Sequence, residues 1–222
     1  MIKAKLIAAT QPMGDVPANS AEELVAFCAR VSSGREYEDR GKDYQGLLNY
    51  CMRNKHWSIF EMTNAVVEVK APRDISRQLI RHRSFSFQEF SQRYSDDIEF
   101  CSREIREQDP KNRQNSINSD SLNHDMWNAD VDDLTHDVGH VYKWWLNQGI
   151  AKECARVLLP EGLTMSSLYV NGTFRSWLHY LDVRDDPGVT QHEHVLLARE
   201  IRKVLEPVMP TILGIESKDD WT

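Results

Sequence analysis

Apolar and polar residues recur with helical spacing over much of this chain. The clearest case is residues 120–147, where Trp127, Val131, Leu134, Val138, Val141 and Trp145 step by four, three, four, three and four positions. Side chains so spaced share one helix face, and Gly149 supplies the stop. Ser20 and Glu23 have the spacing of a capping box, and Leu24, Phe27, Cys28 and Val31 follow as the inward face of a first helix. Residues 43–54 read as a second helix with Leu47, Leu48 and Cys51 inward. A third helix, 72–83, opens on Pro72, whose missing N–H costs nothing in a first turn, and turns Ile75 and Leu79 inward. Residues 151–158 form a short helix that stops before Pro160. Residues 173–181 form another, with Phe174, Trp177, Leu178 and Leu181 on one side. The last, 190–205, has Leu197, Ile201, Val204 and Leu205 inward and ends before Pro207 and Pro210.

Strand signals are fewer. The valine-rich stretch 64–70 reads as one, and 164–170 as another. Residues 1–10 begin like a signal peptide, but their apolar stretch is too short, so they read as a first strand. Residues 34–41 are a polar loop. Residues 101–119 lack periodicity and read as an unusually long loop, which suggests a lid or binding segment. Trp144 and Trp145 read as helix packing rather than a ligand platform. The whole is a helix-rich α+β single domain spanning 1–222.

Composition narrows the function. Of the 222 residues, 41% are hydrophobic and 27% charged, enough for one sizeable core. The net charge of −7 argues against general nucleic-acid binding. No run is long and apolar enough for a membrane span. Cys28, Cys51, Cys101 and Cys154 are scattered, without metal or disulfide spacing, which fits a cytoplasmic protein. His192 and His194 point about 200° apart in a helix, so no metal site is expected.

The densest chemistry lies between Gln78 and Tyr94. Arg73, Arg77 and Arg81 recur every four residues on one helix face, and Arg83 and Arg93 follow. Such a concentration of guanidinium groups calls for an anion, and their planar forks suit phosphate. Ser84, Ser86 and Ser91 add hydroxyl groups. Phe85, Phe87, Phe90 and Tyr94 offer flat apolar surface for a ring system. The residues alone leave an ordinary basic helix end equally open. They also leave open a phosphate-binding hydrolase or transferase, though one without a glycine-rich phosphate loop, and a non-catalytic RNA-binding domain.

Arg81-His82-Arg83, followed by seven residues and Ser91, resembles the signature of the flavin-dependent thymidylate synthases (the ThyX family), as does the flanking Ser91-Gln92-Arg93-Tyr94. The segments beginning at His56, Asp109, Arg156, Arg175 and Gln191 resemble further blocks of that family in the same order. The resemblance implies a small, mostly antiparallel sheet and an FAD site formed by His56, Ser58, Glu61, Arg81, His82, Arg83, Ser84, Glu89, Arg175 and His179. It implies a dUMP site formed by Gln78, Arg81, Glu89, Ser91, Gln92, Arg93, Arg156 and Arg184. Arg93 and Arg156 are the candidates for the 5′-phosphate, and Arg184 for the uracil edge and the catalytic role. The implied reaction makes dTMP from dUMP with methylenetetrahydrofolate and reduced FAD, recharged by NADPH. No cysteine nucleophile takes part, and Cys154 is expected to be inert packing. The family also implies a homotetramer with shared active sites.

Overall fold

A computed structural model describes residues 2–214 of the chain. Four antiparallel strands form the main sheet: β1 (Lys3–Ala9), β2 (Asn64–Pro72), β3 (Ser86–Glu89) and β6 (Met165–Thr173), in the order β1-β2-β6-β3. The remaining elements are helices α1 (Ala21–Ala29), α2 (Tyr44–Arg53), α3 (Arg73–Ile80), α4 (His124–Asn147), α5 (Lys152–Ala155), α6 (Phe174–Arg184), α7 (His192–Leu205) and α8 (Pro210–Leu213), with a small hairpin, β4 (Glu107–Gln108) and β5 (Ser116–Ile117). The architecture is α+β, as the residue pattern predicts.

The central strands β2 and β6 pair over nine residues and bury Val67, Val69, Leu168 and Val170 completely. Ile75 and Leu79 of α3, Phe174, Trp177 and Leu181 of α6, and Leu197, Ile201 and Leu205 of α7 pack into the same core. Trp177 is fully buried, and its indole N–H donates to the Ala65 carbonyl at 3.2 Å, so its one polar group is satisfied inside the core. This wedge of α3, α6 and α7 against β2 and β6 holds the functional residues in place.

Several expectations are corrected. Pro72 ends β2 instead of opening α3, and α3 stops at Ile80, so the Arg81-His82-Arg83 triplet lies just past the helix. In the capping box, Ser20 accepts from the Glu23 N–H, but Glu23 reaches back to the backbone and side-chain N–H groups of Asn19. The inward face of α1 is Glu22, Val25 and Ala26, whereas Val31 is 70% exposed. Glu22 explains the rotation. Its buried carboxylate accepts from the Thr211 and Ile212 N–H groups at 3.1 and 2.9 Å, and burial raises its pKa.

The 101–119 segment is not a featureless loop. It contains the β4–β5 hairpin, and its start is held by ion pairs. Arg103 binds Asp74 through both nitrogens at 2.9 and 3.2 Å, and Arg106 reaches Glu193 at 2.7 Å. The segment from Asp120 to Asn123 precedes α4 rather than belonging to it, and Asn123 caps that helix by accepting from the Met126 N–H. Only Val131 and Tyr142 of α4 are buried. Its predicted inward stripe is largely on the surface: Leu134 is 50% exposed, Val141 41% and Trp145 40%. Trp144 and Trp145 pack edge-on against each other but remain open to solvent.

Candidate active site

The signature triplet sits where the C-terminal ends of α3 and α6 meet. Arg184, the last residue of α6, donates from its Nε to His82 Nε2 at 2.9 Å. A guanidinium can only donate, so His82 Nε2 accepts and the ring proton resides on Nδ1. Burial pushes the His82 pKa down to about 4, and the neighbouring Arg184, His179 and Arg81 add to the effect. His82 is therefore a neutral hinge between two cations. Its ring also packs edge-on against Tyr180 and near His179, at centroid distances of 5.2 and 6.5 Å. Asp185, the next residue, binds Arg199 and Arg202 through its carboxylate.

Phe85 supports the triplet from below. Its ring lies 4.5 Å from that of Trp177 and 6.4 Å from that of His82. It fits because Gly172 of β6 has no side chain. A Cβ there would lie 2.3 Å from two Phe85 ring carbons, inside any real contact distance. Gly172→Ala is expected to displace Phe85 at a cost of about 1–3 kcal/mol, as overpacked cores do. At about 2–4 °C per kcal/mol for a chain of this size, thermal melting reads this directly. An unchanged melting temperature would show that Phe85 has room to move.

Gln78, on α3, occupies the same region. Its amide nitrogen donates to Gln191 Oε1 at 2.8 Å, and its Oε1 lies 3.2 Å from His194 Nδ1. The sequence reading missed this role for His194. In the sequence His194 stands out as half of an H-x-H pair and as part of the family-like block beginning at Gln191, neither of which signals its burial. The side chain is in fact fully buried, while His192 on the opposite side of α7 is partly exposed.

The other predicted residues form separate groups in the single chain. Glu89, at the end of β3, accepts from the Ser166 hydroxyl at 3.0 Å and faces Arg73 and Arg77 at 3.7 and 3.5 Å. Ser91 and Arg93 lie in the turn that follows. The Ser91 oxygen accepts from the Arg93 N–H, and the Arg93 guanidinium pairs with Glu153 of α5 at 3.1 Å. Gln92 is buried between them in sequence. Arg156 lies just past α5 and contributes positive potential at Arg73. His56 and Ser58 are exposed on and beside the 3-10 turn Trp57–Glu61, and Glu61 pairs with Arg175 at the start of α6. Arg83 and Ser84 are exposed beside His82, and the Ser84 carbonyl accepts from Ser176. Thus Arg81 and Arg184 meet at His82, while Arg93 is directed elsewhere within one chain. Arg81, Arg83 and Arg156 have no carboxylate partner among the described residues. Guanidiniums left without a carboxylate partner fit the demands of a dinucleotide carrying a diphosphate.

The sequence profile of the family described as thymidylate synthase complementing protein matches residues 15–211. The chain is 43% identical over 215 residues to a probable flavin-dependent thymidylate synthase of Paramecium bursaria Chlorella virus 1, covering 95% of this chain and 97% of that protein. It is 44% identical over 194 residues to the flavin-dependent thymidylate synthase of Synechocystis sp., covering 87% and 88%. Among solved structures, it superposes on the UMP/dUMP methylase PolB from Streptomyces cacaoi, bound with 5-Br dUMP, at a TM-score of 0.79 and 26% identity. That match covers 96% of this chain and 94% of PolB. The fold is shared with a nucleotide methylase, and the chain is a methyltransferase. The chain belongs to the flavin-dependent thymidylate synthase family.

Proposed function

We propose that this chain converts dUMP to dTMP by reductive methylation, with methylenetetrahydrofolate as one-carbon donor. FAD, when bound and reduced, supplies the hydride, and NADPH restores it. The observation that carries the reading is the convergence of Arg81 and Arg184 on a neutral His82 at the family's signature triplet. Arg81, His82, Arg83, Ser84, Glu89, His56, Ser58, Glu61, Arg175 and His179 hold FAD. Gln78, Arg81, Glu89, Ser91, Gln92, Arg93, Arg156 and Arg184 bind dUMP, with Arg93 and Arg156 taking the phosphate.

Arg184 is the catalytic residue. Its Nε is committed to His82, which fixes the plane of the guanidinium and leaves its terminal N–H groups for the uracil edge. A preorganised cation there stabilises the negative charge that develops on the pyrimidine as C5 becomes nucleophilic. His82 serves this role only while neutral, because a protonated ring would turn a donor toward a donor. Burial and the surrounding cations hold it neutral well below pH 6.

No cysteine attacks the uracil. Cys154, on α5, is exposed rather than packed, which corrects the expectation of an inert core thiol. The active molecule is a homotetramer whose sites combine residues of several subunits. Two features support this: the exposed apolar stripe of α4, and the pairing of Arg93 with Glu153 of α5 while Arg184 bonds His82.

The test is formation of dTMP from dUMP, methylenetetrahydrofolate and NADPH, with and without added FAD. Yellow, FAD-binding protein that makes dTMP, and keeps doing so as Cys154→Ala, is the expected result. A colourless protein that takes up no FAD would overturn the reading. So would a folded Cys154→Ala variant without activity, as regards the cysteine-free route.

A further inference from the structure

Glu193 and His194 of α7, Gln191 just before it and Gln78 of α3 form a hydrogen-bond string whose direction can be deduced atom by atom. It begins at Glu193, a buried carboxylate held by Arg106 at 2.7 Å and Arg103 at 3.4 Å. These cations depress the Glu193 pKa against its burial, so the group is ionised and can only accept. Gln191 lies 3.0 Å from Glu193 Oε2 and must therefore turn its NH2 end toward it. That leaves Gln191 Oε1 facing Gln78 at 2.8 Å, so Gln78 in turn presents its NH2 end there. Gln78 Oε1 then faces His194 Nδ1 at 3.2 Å, and that nitrogen must carry the ring proton. His194 Nε2 is left with a bare lone pair. It is buried and has no partner among the described residues, a position that an N–H tolerates worse than an acceptor.

We infer that Glu193, Gln191 and His194 are positioning residues that lock the Gln78 side-chain amide in one of its two orientations, so that it meets the pyrimidine with a fixed donor and acceptor. This rests on the reading of Gln78 as a dUMP ligand. An amide free to flip presents donor and acceptor in either order. Locked at both ends, Gln78 keeps one N–H and one lone pair uncommitted, the complement of the carbonyl and imide N–H of uracil. The origin of the string at Arg103 and Arg106 also ties the start of the 101–119 segment to the nucleotide site. His194 is suited to the terminal position because it is fully buried and stays neutral, its pKa pushed to about 3 by burial, Arg184 and His82.

The test compares His194→Leu with His194→Asn in the FAD-loaded enzyme, because the asparagine amide nitrogen overlays histidine Nδ1. His194→Leu should raise KM for dUMP about tenfold, with a smaller change in kcat and unchanged flavin content, and His194→Asn should return it to within about threefold. Equal KM values in both variants, or a wild-type KM in His194→Leu, would overturn the inference. The imidazole nitrogen shifts of the wild-type protein give a check that needs neither variant to fold. An Nδ1-protonated neutral ring is expected, and an Nε2-protonated ring would overturn the string. Gln78→Ala separates the two ideas. If it leaves KM for dUMP unchanged, the assignment of Gln78 to the nucleotide fails. If it raises KM while His194→Leu does not, the positioning role alone fails.

Discussion

Arg184→Ala should lower dTMP formation by about two to three orders of magnitude while leaving FAD bound, the size of loss seen when one preorganised donor to a developing anion is removed. The side chain is only partly buried, and alanine suits a helix end, so folding should survive. Arg184→Lys should be nearly as poor. A lysine keeps the charge, but its single ammonium cannot donate to His82 and also present a planar fork to the pyrimidine. Steady-state turnover and the flavin absorption band measure the two quantities separately. The same variant has a second signature. Arg184 is one of the causes that depress the His82 pKa, so its removal should raise that pKa from about 4 toward the ordinary value. The rise should be partial, because burial is the larger cause. Retained turnover, or a His82 that titrates as before, would remove Arg184 from the centre of the chemistry.

Leu134→Glu combined with Val141→Glu should dissociate the enzyme and abolish dTMP formation. Both positions lie on the exposed stripe of α4, at 50% and 41% exposure, so a carboxylate there costs the isolated chain little. Across a subunit contact the same carboxylates would lose their water without gaining partners, a penalty of several kcal/mol. Light scattering should give about four times the 25.8 kDa chain mass for the wild type and a smaller particle for the variant, with unchanged helical circular dichroism. A wild-type monomer that turns over, or a double variant that stays assembled and active, would refute the shared-site arrangement. The prediction follows from a physical mismatch. Trp127, Leu134, Val141, Trp144 and Trp145 of the 24-residue α4 are each partly exposed, and clustered apolar exposure of this kind marks an interaction surface.

Helices and strands were readable from the sequence wherever one face is repeatedly apolar, as in α6, α7 and β2. Side-chain direction there follows from local geometry, 3.6 residues per turn or alternation along a strand. Local pattern misassigned the face of α1, because Glu22 turns inward to meet Thr211 and Ile212, nearly the length of the chain away. It also missed β4 and β5, whose two residues each are too short to show a period.

The chemistry divides in the same way. The sequence by itself determined that Arg81, His82, Arg83 and Ser91 form one signature and that a flavin-dependent thymidylate synthase is the family it resembles. Only the tertiary structure decided that Arg184 donates to His82, that Glu193 orients Gln191 and through it Gln78, and that α4 turns its apolar face outward. Periodicity fixes which way a side chain points on its own element. Which partner it meets depends on elements separated by a hundred residues or more, and folding alone brings those together.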